Sequence, residues 1–526
     1  MIFDRSDDAP QAMQAVRGRT DSREVELKLE FDPAALDDLV GHPLVRDRIE
    51  GPVRSETIYY DTPGHGLRKA GISLRVRRTG DRFVQTVKAA PEAAAAGLFD
   101  RCEWEEPVPG PEPRLDRVCA QAPMLARPGI REALRPVFTT HIERHTCLLA
   151  RADARIELVV DRGEVVAGKR RRPIAEVELE LLEGTPRALF SLARELQACL
   201  PLRLGVMTKA ERGARMVEGK ADRALKAQPV RLSDRLDARG AFRTIAFACL
   251  RHFGVNLPLV MADRNADALH QARVALRRLR SAFTLFRPMT GSAEGRRFRS
   301  ELRTLAGALG RARNLDVLLN RRGEALSADS RKRLLALREE AYDKAIATLG
   351  AADMRCMIID LAEWLAIDGA DGGGQAAEPL LPYSEAVLDR FWKRVKRRGR
   401  KLRALDEEER HVLRIAGKKL RYAGEFFADL HADGDRAGRR DAFLAALSDL
   451  QDALGDLNDL ATERQLVREL SALGVELPRL ERHRDHRLRD EALSAAEDAV
   501  DAMIRIGPYW RQLREPTNDL DLLLVD

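Results

Sequence analysis

The sequence predicts a chain in two parts of different class: an α+β N-terminal domain built on a large antiparallel sheet, then an all-α domain of two pseudo-symmetric helical bundles. Two observations carry this. From about residue 23 to 213, short runs alternate apolar with polar residues, in EVELKLEF, ISLRVRR, FVQTVKA, RCEWEEPV, RIELVVD and AEVELEL. That is the period-two pattern of half-buried strands between Pro and Gly turns. From about residue 233, apolar residues recur at spacings of three and four in FRTIAFACLRHF, ALHQARVALRRLRSAFTLF and FRSELRTLAGALGRARNLDVLL. That is the pattern of amphipathic helices.

At 526 residues the chain is too long for one ordinary core. The composition shifts divide it into a tail (1–22), the strand-rich domain (23–213), a polar and weakly patterned linker (214–232) and the helical domain (233–520). The helical domain splits into one repeat (233–368), a Gly- and Pro-rich junction (369–382) and a second repeat (383–520). The tail mixes acids with bases and has no signal-peptide core, and no stretch approaches the roughly 18 apolar residues of a membrane span, so a cytoplasmic protein is expected. The six cysteines are scattered without a CxxC pair, which argues against zinc and against a disulfide framework. A net charge of +7 favours an anionic partner, but 83 acidic residues stand beside 90 basic ones, so the distribution decides.

In the strand half the charges share faces. Glu24, Glu26 and Lys28 alternate with Val25, Leu27 and Leu29, and a strand puts such alternate residues on one side. The same holds for Arg75 and Arg77, for Arg101, Glu103 and Glu105, for Arg155, Glu157 and Asp161, and for Glu176, Glu178 and Glu180. Such a face repels itself unless carboxylates meet cations or metals across it. Closing the sheet into an antiparallel β-barrel, with helices flanking the apolar outside, makes the interior a polar tunnel. Carboxylate oxygens there suit Mg²⁺ or Mn²⁺, and Arg and Lys suit phosphoryl oxygens. A lining of both signs fits a polyanion held together with its metal.

The helical half repeats a cationic stripe. His270, Arg273, Arg277 and Arg280 lie at offsets 0, 3, 7 and 10 on one helix face, and His411, Arg414, Lys418 and Arg421 repeat those offsets 141 residues later. Each copy is followed by Ala-Leu-Gly and a polar run, LAGALGRARNLD and LSDLQDALGDLND. Paired stripes suit a long anion bound by many weak, salt-sensitive contacts. The heading histidines are expected to donate to phosphate more strongly as pH falls toward about 6.5. The run KRVKRRGRKLR (393–403) would attract a nucleic-acid backbone, but without a groove-reading motif no sequence-specific nucleic acid is expected.

ExExK at Glu24 to Lys28, YYDTPGHGLRKAGISLRVRR, VKA at Lys88, ERH at Arg144, VVDRGEV at Asp161, IAEVELELLEG and TKAERG at Lys209 together resemble the CYTH family of triphosphate tunnel metalloenzymes. HQARVALRRLRSAFTLFR, LAGALGRARNLDV and HVLRIAGKKLRYAGEFF resemble the CHAD domain, and the order is similar to that of bacterial CYTH-CHAD inorganic triphosphatases. The resemblance implies that Glu24, Glu26, Glu176, Glu178 and Glu180 hold a divalent metal, Mg²⁺ or Mn²⁺, and that Glu24, Glu26 and Lys28 are catalytic. It implies that Lys28, Arg75, Arg77, Lys88, Arg144 and Lys209 grip phosphates, that Asp161 orients one of them, and that Glu103 and Glu105 line the tunnel. For the helical half it implies inorganic polyphosphate bound by His270, Arg273, Arg277, Arg280, His411, Arg414, Lys418 and Arg421. The implied activity is hydrolysis of inorganic triphosphate to phosphate and diphosphate, in a cytoplasmic protein associated with polyphosphate granules. A nucleoside or thiamine triphosphatase, a class IV-like adenylate cyclase, and a non-catalytic polyphosphate binder are the alternatives. Tyr59, Tyr60 and Trp104 are the only evident aromatic platforms for a base or thiamine ring. The chain departs from the family pattern in its leading tail, in Asn314 where an acid is common, in Lys418 at the offset of Arg277, and in the insert PEAAAAGLFD.

Overall fold

The computed structural model describes residues 22–89, 96–115, 122–368, 378–432, 434–473, 475 and 482–511. All but the last residue of the leading tail, half of the alanine-rich insert and most of the 369–382 junction lie outside them. The chain forms two compact units, one of Met1–Glu92, Phe99–Leu189 and Met207–Ala221, the other of Ala93–Leu98, Phe190–Val206 and Asp222–Asp526.

The first unit holds eight long strands: β1 (Ser22–Glu30), β2 (Glu50–Asp61), β3 (Ile72–Thr79), β4 (Arg82–Ala89), β5 (Leu98–Val108), β6 (Arg135–Ala150), β7 (Arg155–Ala167) and β8 (Arg170–Glu183). They are ordered β5-β4-β3-β2-β6-β7-β8-β1, and a β5–β1 pairing closes the barrel. Alternation decides what faces in. Directly paired residues of antiparallel strands share a face, and the ladders join Arg144 to Asp161, Asp161 to Glu176, Lys28 to Glu178 and Glu26 to Glu180, and Lys88 to Glu103. The charged faces therefore all look into the barrel, while Leu27, Leu29, Val177 and Leu179 are buried on the other side. Arg155 is the exception among the residues read onto these faces. A register shift between Arg155 and Ile156 turns it outward to Glu183, 2.6 Å away.

Short helices connect the strands: α1 (Leu36–Val40), α2 (Gly66–Lys69), α3 (Ile130–Ala133), α4 (Arg187–Gln197) and α5 (Lys209–Val217). In the YYDTP motif, Asp61 accepts hydrogen bonds from the Thr62 and Leu67 amides at 2.7 and 2.9 Å, which fixes the β2–β3 connection ahead of Arg75 and Arg77. At α5 the sequence TKAE is a capping box: Thr208 Oγ1 accepts from the Glu211 amide at 3.1 Å and Glu211 Oε2 accepts from the Thr208 amide at 3.0 Å. At one end the inward face becomes apolar, with Tyr59, Phe138, Ile142, Val165 and Ile174 packed against Met216 and Val217 of α5. Tyr59 and Phe138 stack at 4.4 Å between centroids. α5 thus stops that end of the barrel and carries Lys209 into the interior.

The second unit is helical from Ala238: α6 (Ala238–Asp263), α7 (Ala266–Leu285), α8 (Ala293–Ala308), α9 (Gly310–Arg322), α10 (Ala328–Gly350), α11 (Ala352–Glu363), a π-helical segment (Trp364–Asp368), α12 (Leu380–Gly399), α13 (Glu407–Phe426), α14 (Asp435–Ala472) and α15 (Arg482–Ile506). Asn265, Ser292, Ser327 and Asp406 cap α7, α8, α10 and α13 through their side chains. The stretch FRSELRTLAGALGRARNLDVLL is two helices broken at Leu309 rather than one. The expectation about membrane-like stretches also needs amending, because α6 is long and apolar enough to cross a membrane. Most of its apolar window is buried, with Phe242 packed among Phe283, Phe286 and Trp364, so its apolarity serves the helical core.

Gly213 sits where α5 meets the barrel. A Cβ there would fall 2.1 Å from Phe138 Cε2, and Phe138 has nowhere to retreat because it is stacked on Tyr59. Gly213→Ala is therefore expected to destabilise the protein by about 1–3 kcal/mol and to lift α5 with Lys209. Denaturant titration of wild type and variant checks this.

Candidate functional site

Apart from Arg155, the closed barrel brings together the residues read onto the charged strand faces, and the pairings within it are specific. Lys28 is 2% exposed and its Nζ donates to Glu176 Oε1 at 2.8 Å and Glu178 Oε1 at 2.6 Å. From α5, Lys209 reaches Asp161 Oδ2 at 2.7 Å and Glu178 Oε1 at 3.0 Å, and it also contacts Glu176. The Arg144 guanidinium grips Asp161 with both arms, Nε to Oδ1 at 2.7 Å and Nη2 to Oδ2 at 2.6 Å. Asp161, Glu176 and Glu178 have ligand oxygens within 4.8 Å of one another. Burial alone would raise the Glu178 carboxyl, but Lys209, Lys28 and Arg144 outweigh it and hold Glu178 well below the usual carboxylate range. Asp161 behaves alike: Arg144 and Lys209 overcome its burial and pull it to about 2. This half of the lining is internally neutralised.

The other half is not balanced in the same way. Glu26 and Glu180 are direct neighbours across β1 and β8, and Glu157 adjoins Glu180 on the other side. Burial, then Glu24, Glu157 and Glu103, push the Glu180 carboxyl up to about 7. Burial and Glu178 raise Glu26 despite Arg101. Cations reach this cluster from β4 and β5. Lys88 Nζ lies 2.8 Å from Glu24 Oε2 and 3.1 Å from Glu103 Oε1, and Arg101 touches Glu24 and Glu26 at 3.3 and 2.5 Å. The five carboxylates assigned to a metal thus divide into two sets. Glu176 and Glu178 sit under lysines, while Glu24 and Glu26 are met by Arg101 and Lys88 and Glu180 is crowded by Glu24, Glu157 and Glu103.

Cations crowd one another on the β3 side. Arg75 beside Arg77, then burial and Arg144, bring Arg77 down to about 10; the guanidinium stays charged at neutral pH, so the shift measures how much positive field collects there. Glu105 is tied by Thr86 Oγ1 at 2.7 Å. Arg212, one turn after Lys209, contacts Glu30 and stands 3.9 Å from Glu176. It was missed in the sequence, although its i+3 spacing from Lys209 puts both on one helix face.

In the helical unit the two stripes converge. Arg277 Nε donates to Tyr422 Oη at 2.6 Å, and the guanidinium carbons of Arg277 and Arg421 lie 5.9 and 5.3 Å from the same ring centroid. Arg273 donates to the Ala306 carbonyl at 2.8 Å, and Arg421 faces Glu425 at 3.5 Å. The stripes are not equivalent. At the same step after the Ala-Leu-Gly of each copy, the first has Arg313 beside His270 and the second has Asn458, whose Oδ1 is 3.2 Å from His411 Nδ1. Burial, Arg313, Arg277 and Arg273 push His270 down to about 4, which corrects the expectation of titration near 6.5: its imidazole is neutral in the ligand-free protein.

The sequence also missed a cation cluster contributed by four helices. Burial, then Arg299, Arg394, Arg280 and Arg390, depress Lys419, and burial, Arg303 and Arg299 depress Arg280. An open groove of about 740 Å³ beside it is lined by Ala386, Asp389, Arg390, Lys393, Arg394 and Arg397.

With this geometry in hand, family models match the chain twice: a CYTH domain over residues 22–214 and a CHAD domain over residues 244–468. The chain joins a CYTH domain to a CHAD domain. A curated relative, the inorganic triphosphatase of Haemophilus influenzae, is 30% identical over 156 residues, which is 30% of this chain and 44% of that protein. The chain thus spans less than half the length of that relative. Among solved structures, the CHAD domain of the plant Ricinus communis is 25% identical with a TM-score of 0.44, covering 54% of this chain and 97% of that one. A Streptomyces chartreusis protein, PptA, is 19% identical with a TM-score of 0.34, covering 52% and 99%.

Glu180 sets a pH dependence for the metal-free CYTH domain. Its folded pKa of about 7 lies above the ordinary 4.5, so its contribution favours folding at low pH and is lost as pH climbs from 4.5 to 7. With a chelator present, Glu180→Gln is expected to melt progressively higher than wild type as pH rises through this window, the gap levelling off above it. Parallel thermal melts across pH measure the gap.

Proposed function

We propose that the CYTH domain is a metal-dependent triphosphatase that hydrolyses inorganic triphosphate to phosphate and diphosphate, and that the CHAD domain binds inorganic polyphosphate. The observation that carries the first part is the mixed lining: the cations Lys28, Lys209, Arg144, Arg75 and Arg77 share the barrel interior with the carboxylates Glu24, Glu26 and Glu180. Those carboxylates offer an all-oxygen donor set of the kind that takes a hard ion of charge two, beside the acidic oxygens of Asp161, Glu176 and Glu178 that lie within 4.8 Å of one another. Mg²⁺ or Mn²⁺ bound there supplies neutralisation of the phosphoanhydride oxygens as the bond breaks.

The chain's own residues do the rest by position. Glu176, Glu178 and Asp161 fix the lysine ammonium groups and the Arg144 fork before any substrate arrives, so a phosphate chain meets cations that need no reorganisation. Burial keeps those charges strong. No side-chain nucleophile is required, since phosphoryl transfer depends mainly on alignment and charge. Inorganic substrate is favoured over a nucleotide or thiamine ester because the candidate platforms are already engaged. Tyr59 stacks on Phe138, Tyr60 and Trp104 pack against the cluster of Leu67, Ile72, Leu74 and Val87, and Tyr60 Oη donates to the Pro111 carbonyl at 2.8 Å. The similarity to the Haemophilus inorganic triphosphatase supports the same choice.

For the CHAD domain, the support is cations left facing cations: Arg273 with Arg277 and Arg313 around the neutral His270, and Lys419 with Arg280, Arg299, Arg390 and Arg394. A polyanion relieves this repulsion.

The double variant Glu24→Gln, Glu26→Gln is expected to lose at least about 100-fold in phosphate release from triphosphate; a purified, folded double variant working at the parental rate would sink the assignment. For the helical site, Arg280→Gln with Lys419→Gln is expected to bind long-chain polyphosphate about tenfold more weakly while melting slightly higher in its absence, because uncompensated repulsion is removed. Calorimetric titration and thermal melts of the same preparation read both.

A further inference from the structure

One cation in the barrel stands where the proposed metal would bind. Arg101, on β5 at the seam where β5 meets β1, spans both carboxylates of the ExExK motif. Its Nη2 is 2.5 Å from Glu26 Oε1 and its Nε 3.3 Å from Glu24 Oε2, and the two acids are 3% and 9% exposed. Lys88 completes the cover on Glu24 at 2.8 Å. Beyond this pair Arg101 feels the longer-range pull of Glu178 and Glu103, and its guanidinium carbon lies 5.2 Å from the ring centroid of Phe99. This contrasts with Arg144, whose fork is matched arm for arm by Asp161.

We propose that Arg101 is a built-in counter-ion that occupies the metal carboxylates of the empty tunnel and transfers to the phosphate chain when metal and substrate enter together. The inference rests on the metal-dependent reading above and adds an order of events to it. The guanidinium and a divalent ion compete for the same oxygens of Glu24 and Glu26. A bare divalent ion must break a buried ion pair to bind, leaving Arg101 inside the barrel with only the longer-range pull of Glu178 and Glu103. An anion in the lumen changes the balance, because it offers Arg101 a new partner as the carboxylates are released. Metal and anion therefore bind with positive coupling, and by linkage each tightens the other by the same factor. Arg101 is a positioning residue in this scheme, and the metal–anion complex is the species the tunnel is built to receive.

The test is Mn²⁺ affinity of the full chain, read by the electron paramagnetic resonance of free Mn²⁺, with chloride or with sulfate, a weak chelator, at equal ionic strength. In chloride, Arg101→Met is expected to bind Mn²⁺ about tenfold more tightly than wild type. Sulfate is expected to tighten Mn²⁺ binding several-fold in wild type and to leave the variant unchanged. Arg101→Lys keeps the charge but cannot span both acids, so it is expected to fall between the two; it also serves if the methionine variant does not fold. Variants that bind Mn²⁺ no more tightly than wild type, with the sulfate effect intact, overturn the proposal while leaving the metal site standing. If wild type and Glu24→Gln, Glu26→Gln bind Mn²⁺ equally, the metal reading itself fails and the proposal falls with it.

Discussion

Closing a sheet around its own charged face imposes one condition on everything else in the CYTH domain: each ionised group inside must find a partner of opposite sign or pass its charge to something that enters. An open sheet would let water screen these groups, whereas a barrel interior removes most of that screening and makes each unmatched charge costly. The strand register answers this condition by putting Lys28 beside Glu178 and Arg144 beside Asp161, and α5 adds Lys209 at the closed end. Where the register instead aligns acid with acid, as at Glu26, Glu180 and Glu157, the carboxylates crowd one another and Arg101 comes in from β5 over Glu26.

The CHAD domain meets the same condition with the opposite sign. On the inner side of α7, Arg278 is paired with Glu425 and lies over Phe426, so the buried arginine is satisfied. At the position 141 residues on, Lys419 faces arginines instead. Duplication supplied two copies of the stripe, but substitutions such as Arg313 against Asn458 made their surroundings unlike. Every cation left facing other cations here weakens the bundle.

Much of this was legible in the sequence. The alternation of EVELKLE and AEVELEL identified the inward faces, since period two is a local property of a strand. The matching offsets of His270 and His411 revealed the repeat. What could not be read was anything that depends on which strand lies beside which. The division of the carboxylates into a lysine-covered set and a mutually crowded one follows from register, so Glu176 and Glu180 look alike in the sequence and differ in the fold. Arg155 went astray because a register shift leaves no mark in the alternation. Lys419, Arg299 and Arg394 lie on different helices, and their convergence is a matter of packing. His270 illustrates the same limit: its stripe was visible, but Arg313, which does most to keep its ring unprotonated after burial, comes from another helix.

The stopper formed by α5 with Tyr59 and Phe138 bears on traffic. A tube sealed at one end has a single doorway, so whatever occupies it must arrive and depart in opposite orders, like items in a stack.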